Sequence, residues 1–130
     1  MQYRSDADAR QRSTVLIIEN GLVLLTGDKG LDLFILPGGG LKEGETHEEG
    51  AARELFEETG LIASEFTFVL SYRSPVAAYH VFIPGIVEGT AVALREIEEI
   101  IWWDGVQPLK TTSSVIPILS GPRIGFLAAP

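Results

Sequence analysis

A mixed β-sheet lying between helices, an α/β fold, is what this sequence predicts. Three observations lead there. β-Branched and aliphatic runs bounded by turn residues recur on both sides of one strongly marked helix. That helix carries its own start and stop signals. A second, shorter helical pattern follows the last long strand, so each face of the sheet has a helix to cover it. At 130 residues the chain is expected to form one domain over 1–130. Its 45% hydrophobic and 22% charged content is ordinary for a globular protein.

Taken in order, residues 1–11 read as a polar tail or a short edge strand. The runs 14–19 and 22–26 are strands joined by Asn20-Gly21, a strong hairpin signal. Gly27-Asp28-Lys29-Gly30 reads as a loop and 31–36 as a third strand. Pro37 and the triple glycine Gly38-Gly39-Gly40 end that strand in a turn, with glycine permitting close approach and positive φ. Thr46 is a helix N-cap, and Glu49 three residues later completes a capping box. Gly60 is the stop, which sets the helix at 47–59.

Ala51, Ala52, Leu55 and Phe56 form the helix stripe that packs on the sheet. Gly50 costs about 1 kcal/mol against Ala in mid-helix, and close packing against the sheet is its expected reason. Beyond the helix, 65–73 and 78–87 are long strands with Ser74-Pro75 in the bend between them. Pro84 marks the second as an edge or bulged strand. A strand at 97–103 and a short helix within 111–120 follow, Pro117 placing the helix start near Ser114. Residues 125–127 add a last short strand.

The chemistry lies on the first helix. Glu54, Glu57 and Glu58 stand at i, i+3 and i+4 and share a face. They repel one another, and an acid in the last turn costs roughly 0.3–1 kcal/mol against the helix dipole. Arg53 offsets part of this. A bound divalent cation removes the conflict, and oxygen ligands with no Cys and only two His favour Mg²⁺ or Mn²⁺.

Zero cysteines exclude disulfides, thiolate metal sites and a Cys nucleophile. The net charge of -8 argues against a nucleic-acid polymer or an anionic membrane as partner. It leaves room for a small phosphorylated ligand, because a bound cation reverses the local sign. Glu43, Glu45, Glu48, Glu49, Glu54, Glu57 and Glu58 all lie in or beside this helix, so the acidity is partly the site itself. His47 and His80 have no Ser or Asp partner at a recognisable spacing, so no hydrolase triad is expected. The polar N-terminus and the lack of an apolar run near about 18 residues predict a cytoplasmic protein.

Gly39, five residues, Glu45, seven residues, then Arg53-Glu54-Leu55-Phe56-Glu57-Glu58-Thr59-Gly60-Leu61 resembles a complete Nudix box, with no position departing from the pattern. At average residue frequencies a chance match in a chain of this length is on the order of one in 10⁸. The resemblance implies a Nudix-type α/β/α sandwich. It also implies Mg²⁺-dependent hydrolysis of a nucleoside diphosphate linked to another group. On that implication Glu54, Glu57 and Glu58 are metal ligands, one of which also helps activate water. The Gly38 carbonyl is a backbone ligand, Arg53 orients a glutamate, and Glu45 supports the shell from the helix entry.

A downstream acid is expected just before Trp102-Trp103. The resemblance favours Glu96 as a further ligand and Glu99 as a catalytic acid or base, leaving Glu98 to solvent. Phe34, Tyr72, Tyr79 and Trp103 are the aromatics available to stack on a base. A nucleoside triphosphate or similar small nucleotide is the expected substrate. Ser74-Pro75 resembles part of the signature of ADP-ribose-cleaving members, although Val76 replaces its glycine. Tyr79 resembles a tyrosine of dinucleoside-polyphosphate members. A non-catalytic nucleotide sensor is the remaining reading, and homodimers are common in the family.

Overall fold

The computed structural model describes residues 10–127. The helix forms where its caps place it: α1 spans His47–Thr59. The strands are β1 (Arg10–Val15), β2 (Ile18–Glu19), β3 (Leu22–Asp28), β4 (Phe34–Ile35), β5 (Gly38–Gly40), β6 (Ile62–Arg73), β7 (Ala77–Glu88) and β8 (Ile97–Trp103), and α2 is Val115–Leu119. One sheet is mixed, in the order β5-β1-β7-β6, with β1 and β7 parallel. The other runs β2-β3-β4, and β8 pairs antiparallel with β3.

Alternation along the strands feeds two cores. Val15, Ile17, Leu24 and Phe82 pack with Ala51 and Leu55 of α1. Leu16, Val23, Leu25, Val81 and Trp103 pack with Val115, Ile118 and Leu119 of α2. The strands therefore lie between two helices, as the sequence predicts, but they form two sheets where one mixed sheet is expected.

The apolar run 14–19 is not one strand. It leaves the first sheet after Val15 and enters the second at Ile18, with Leu16 buried in one core and Ile17 in the other. Asn20 (φ 52°) and Gly21 (φ 76°) make the expected tight turn. Only Phe34 and Ile35 of 31–36 pair as strand, and Leu31 and Leu33 remain exposed.

The triple glycine is a strand rather than a turn. Gly38, Gly39 and Gly40 pair antiparallel with Thr14, Ser13 and Arg12. A Cβ at Gly38 would come within 2.1 Å of the Ser13 carbonyl oxygen, so only glycine lets the two chains lie this close. Pro84 pairs with Phe66 but lies past Phe82, the last residue of β7 that β1 covers. Its missing N–H therefore interrupts no ladder on that side. The β6–β7 pair also carries a bulge between Phe68 and Leu70.

Of the expected edge segment 1–11, Arg10 and Gln11 belong to β1, and the rest lies outside the described residues. Residues 125–127 form no strand: Gly125 takes φ +61°, and the Leu127 N–H returns to the Leu119 carbonyl. No helix among the described residues is long and apolar enough to cross a membrane.

Candidate active site

The site grows from the two ends of α1. At its start the Thr46 hydroxyl accepts from the Glu49 N–H (3.1 Å) and the Glu49 carboxylate accepts from the Thr46 N–H (2.9 Å). At its end Gly60 takes φ 76° and donates to Phe56 O. The Glu58 and Thr59 carbonyls accept from the N–H groups of Leu94 and Val92. This folds the segment after β7 over the helix end, where it delivers Glu96.

Arg53 organises the first end. Its Nε and Nη2 grip Glu45 side-on at 2.6 and 2.9 Å. Nη1 donates to Glu54 (2.8 Å) and Glu57 (3.2 Å), and Nη2 donates to the Gly40 carbonyl (3.0 Å). All of its N–H donors are thereby used. The ion pair, helped by the Lys42 N–H, pulls the Glu45 carboxyl down to about 2, and the Glu45 hydrogen bonds raise Arg53 further above its ordinary value. Gly50 lets this end close: a Cβ there would stand 2.5 Å from a Leu41 methyl and 3.1 Å from Glu45 Oε1.

Glu58 occupies the opposite situation. It is only 7% exposed, and its one hydrogen bond is from the Gly38 N–H at 3.1 Å. Burial first, then the neighbouring charges of Glu54, Asp28 and Glu96, push its carboxyl up to about 8 against the opposing Gly38 bond. Gly39 leaves room for this crowding, since a Cβ there would lie 2.5 Å from the Glu54 carboxyl carbon.

The structure thus gathers Gly38, Glu54, Glu57, Glu58 and Glu96 around the end of α1 and β5. Among the described residues no three acidic or histidine side chains are already aimed at one point as a preformed metal cage. Glu54 and Glu57 are turned onto Arg53, and Glu58 onto Gly38. The donor chemistry nevertheless fits a hard divalent cation: all donors are oxygens, and one buried acid is crowded by three others.

Asp28 belongs to this group and has no signal in the sequence. It reaches Glu58 through a β-bulge between Gly27 and Asp28, where β3 pairs with β8. Glu99 lies exposed opposite Gly27, and Glu98 is exposed beside it.

Of the aromatics, Trp103 is a core residue, 7% exposed, with its Nε1 donating to the Gln107 carbonyl. The Phe34 ring lies over Gly27. Tyr72 and Tyr79 pair across β6 and β7 with centroids 6.1 Å apart. His47 stacks on His80 at 4.0 Å, and Ser13, Ser71 and Gln11 supply their hydrogen bonds. A surface cleft of about 400 Å³ beside the Asn20 hairpin, lined by Leu61, Thr90 and Trp102, touches none of the helix carboxylates.

A layered α/β/α architecture with an acidic helix entered from a glycine strand defines the class, and the comparisons agree. The NUDIX domain family model matches residues 9–114, and the chain belongs to that family. A Bacillus subtilis (strain 168) protein named "Putative 8-oxo-dGTP diphosphatase" is 36% identical over 81 residues, 61% of this chain. The match spans 54% of that relative's length. A nudix hydrolase family member from Chromobacterium violaceum superposes with a TM-score of 0.77 at 27% identity, covering 87% of this chain and 75% of that one. MutT NUDIX hydrolase from Burkholderia pseudomallei gives 0.75 at 20% identity, covering 86% and 96%.

Proposed function

We propose that this chain hydrolyses the diphosphate linkage of a small nucleotide, with Mg²⁺ or Mn²⁺ as cofactor. The observation that supports this best is Glu58, a buried carboxyl set among Glu54, Asp28 and Glu96 with only one hydrogen bond. Such crowding is destabilising in the bare protein and is relieved by a cation. Glu54, Glu57, Glu58, Glu96 and the Gly38 carbonyl are the residues that would hold it. When bound, the cation would supply charge neutralisation for the diphosphate and a more acidic water.

The protein's own groups do the rest. Arg53 holds Glu45, Glu54 and Glu57 together at the helix, and Glu54 and Glu57 would turn from it to meet a cation. Glu96, through its place beside Glu58, is better placed than Glu99 to share in water activation. The substrate class we assign is a nucleoside triphosphate, a reading supported by the name of the Bacillus relative. The marks of other substrates have structural explanations here. Ser74 is buried and its hydroxyl accepts from the Val76 and Ala77 N–H groups, shaping the β6–β7 bend. Tyr79 packs on Tyr72.

The test is phosphate release from nucleoside triphosphates, ADP-ribose, nucleotide sugars and diadenosine polyphosphates, with and without about 5 mM Mg²⁺ and with a phosphatase to reveal monophosphate products. Metal-dependent release from triphosphates is expected. Binding without turnover across the whole panel would make the chain a nucleotide sensor instead.

A further inference from the structure

We propose that Arg12 is the residue that grips the substrate's diphosphate, an assignment that rests on the diphosphate-hydrolase reading above. A site this acidic repels phosphate, so the protein must bring cations of its own as well as a metal. Among the described residues, the basic side chains on or beside β5 are Arg12, Arg53 and Lys42. Arg53 has no donor left for a ligand, because Glu45, Glu54, Glu57 and the Gly40 carbonyl use them all. Lys42 is 67% exposed and its Nζ lies 4.0 Å from Glu57.

Arg12 differs from both. Its one hydrogen bond is a long one, Nη2 to the Gly38 carbonyl at 3.4 Å. Its Nε is buried and has no partner. No carboxylate among the described residues pairs with it.

Its placement suits a phosphate. Arg12 touches the carbonyl of Gly38, and the N–H of the same residue, in the preceding peptide, binds Glu58, so the guanidinium stands one residue away from the acid cluster. Arg12 pairs with Gly40 across the β1–β5 ladder, and the space beside Gly40 is open, with nothing within 4 Å of where a Cβ would be. A ligand can therefore reach the fork over a strand bare of side chains. The guanidinium lies over the Tyr79 ring, with the Arg12 Cζ 5.8 Å from the ring centroid, a cation–π contact that helps hold it in place. A planar fork with unused parallel donors matches two phosphate oxygens better than a point charge does.

The experiment is a calorimetric titration of methylenediphosphonate, a non-hydrolysable diphosphate, into the full chain in about 5 mM Mg²⁺. Wild type, Arg12→Gln and Arg12→Lys are compared, and an unphosphorylated nucleoside is titrated in parallel. Arg12→Gln is expected to weaken diphosphonate binding by about 10–100-fold, the range of charge-assisted hydrogen bonds, and Arg12→Lys by less. Nucleoside binding should not change.

In wild type the Arg12 Nε–H resonance, assigned by its loss in Arg12→Lys, should shift on adding the diphosphonate. That readout decides the matter even if Arg12→Gln does not fold. Equal diphosphonate affinity in wild type and Arg12→Gln, or an unmoved resonance at saturation, overturns the assignment while the hydrolase reading stands. An equal loss of nucleoside binding assigns Arg12 to the base and also overturns it. Failure of wild type to bind the diphosphonate, with no turnover on the nucleotide panel, removes both.

Discussion

The two ends of α1 place their acids in opposite electrostatic settings. Just before the N-cap, Glu45 faces Arg53 in a side-on ion pair, and its carboxyl is pulled down to about 2. At the last turn Glu58 faces three other acids with one backbone N–H, and its carboxyl is pushed up to about 8. The first arrangement is scaffold, stable in the bare protein. The second crowds a buried carboxyl with like charges, at a cost in the bare protein. Two opposite electrostatic settings thus lie along a single helix, and Arg53 reaches from the first to Glu54 and Glu57.

Removing the strained acid gives the largest expected effect. Glu58→Gln should lower turnover by roughly 10³-fold, as loss of a group that organises transition-state charge does. The same change should raise the melting temperature of the metal-free protein at pH 8. If turnover survives near the wild-type rate, Glu58 is not part of the reacting centre.

The pH dependence of metal-free stability comes next. Glu58 titrates at about 8 folded, above its ordinary 4.5, so the folded state holds the proton more tightly. Its contribution is intact below pH 4.5 and is lost as pH rises to about 8, worth on the order of a few kcal/mol. Glu45 acts in the other direction: its contribution is present above pH 4.5 and disappears as pH falls toward 2. Denaturant melts in chelator should therefore show a stability maximum near pH 4–5, an estimate from these two linkages. Saturating Mg²⁺ should remove the alkaline decline. A flat profile between pH 5 and 8 in chelator would mean that Glu58 is not crowded as described.

Arg53→Lys tests the scaffold end. Lysine keeps the charge but cannot hold Glu45 side-on while reaching Glu54, Glu57 and the Gly40 carbonyl. A loss on the order of 2 kcal/mol in urea melts is expected, below the figure for breaking a fully buried pair because the side chain is partly exposed. Gly50→Ala should have the smallest effect. The helix gains about 1 kcal/mol of propensity, but the new methyl meets Leu41 and Glu45 Oε1. A net loss of about 1 kcal/mol is expected, and a stabilised variant would show that the loop simply moves aside.

The helix was legible to the residue because its signals are local. Thr46, Glu49 and Gly60 act within one turn of chain, and the spacing of Glu54, Glu57 and Glu58 follows from helix geometry alone. Strand β8 and the Asn20-Gly21 turn were legible for the same reason. Local pattern failed where a distant partner decides. Three glycines look like a turn until β1 pairs with them, and the run 14–19 looks like one strand until two sheets divide it. Residues 125–127 look like a strand until Gly125 turns the chain back onto α2.

By itself the sequence determined the capped helix, its row of carboxylates, and through them the family. Tertiary structure alone decided which further groups meet that row. Asp28 arrives through a bulge and Glu96 through a loop anchored on the helix end, while the register of a glycine strand sets Arg12 against the Gly38 carbonyl. The reason is one of range. Caps and i, i+4 spacings act over a few residues, whereas burial, charge crowding and an unpartnered donor depend on which distant strands are brought together.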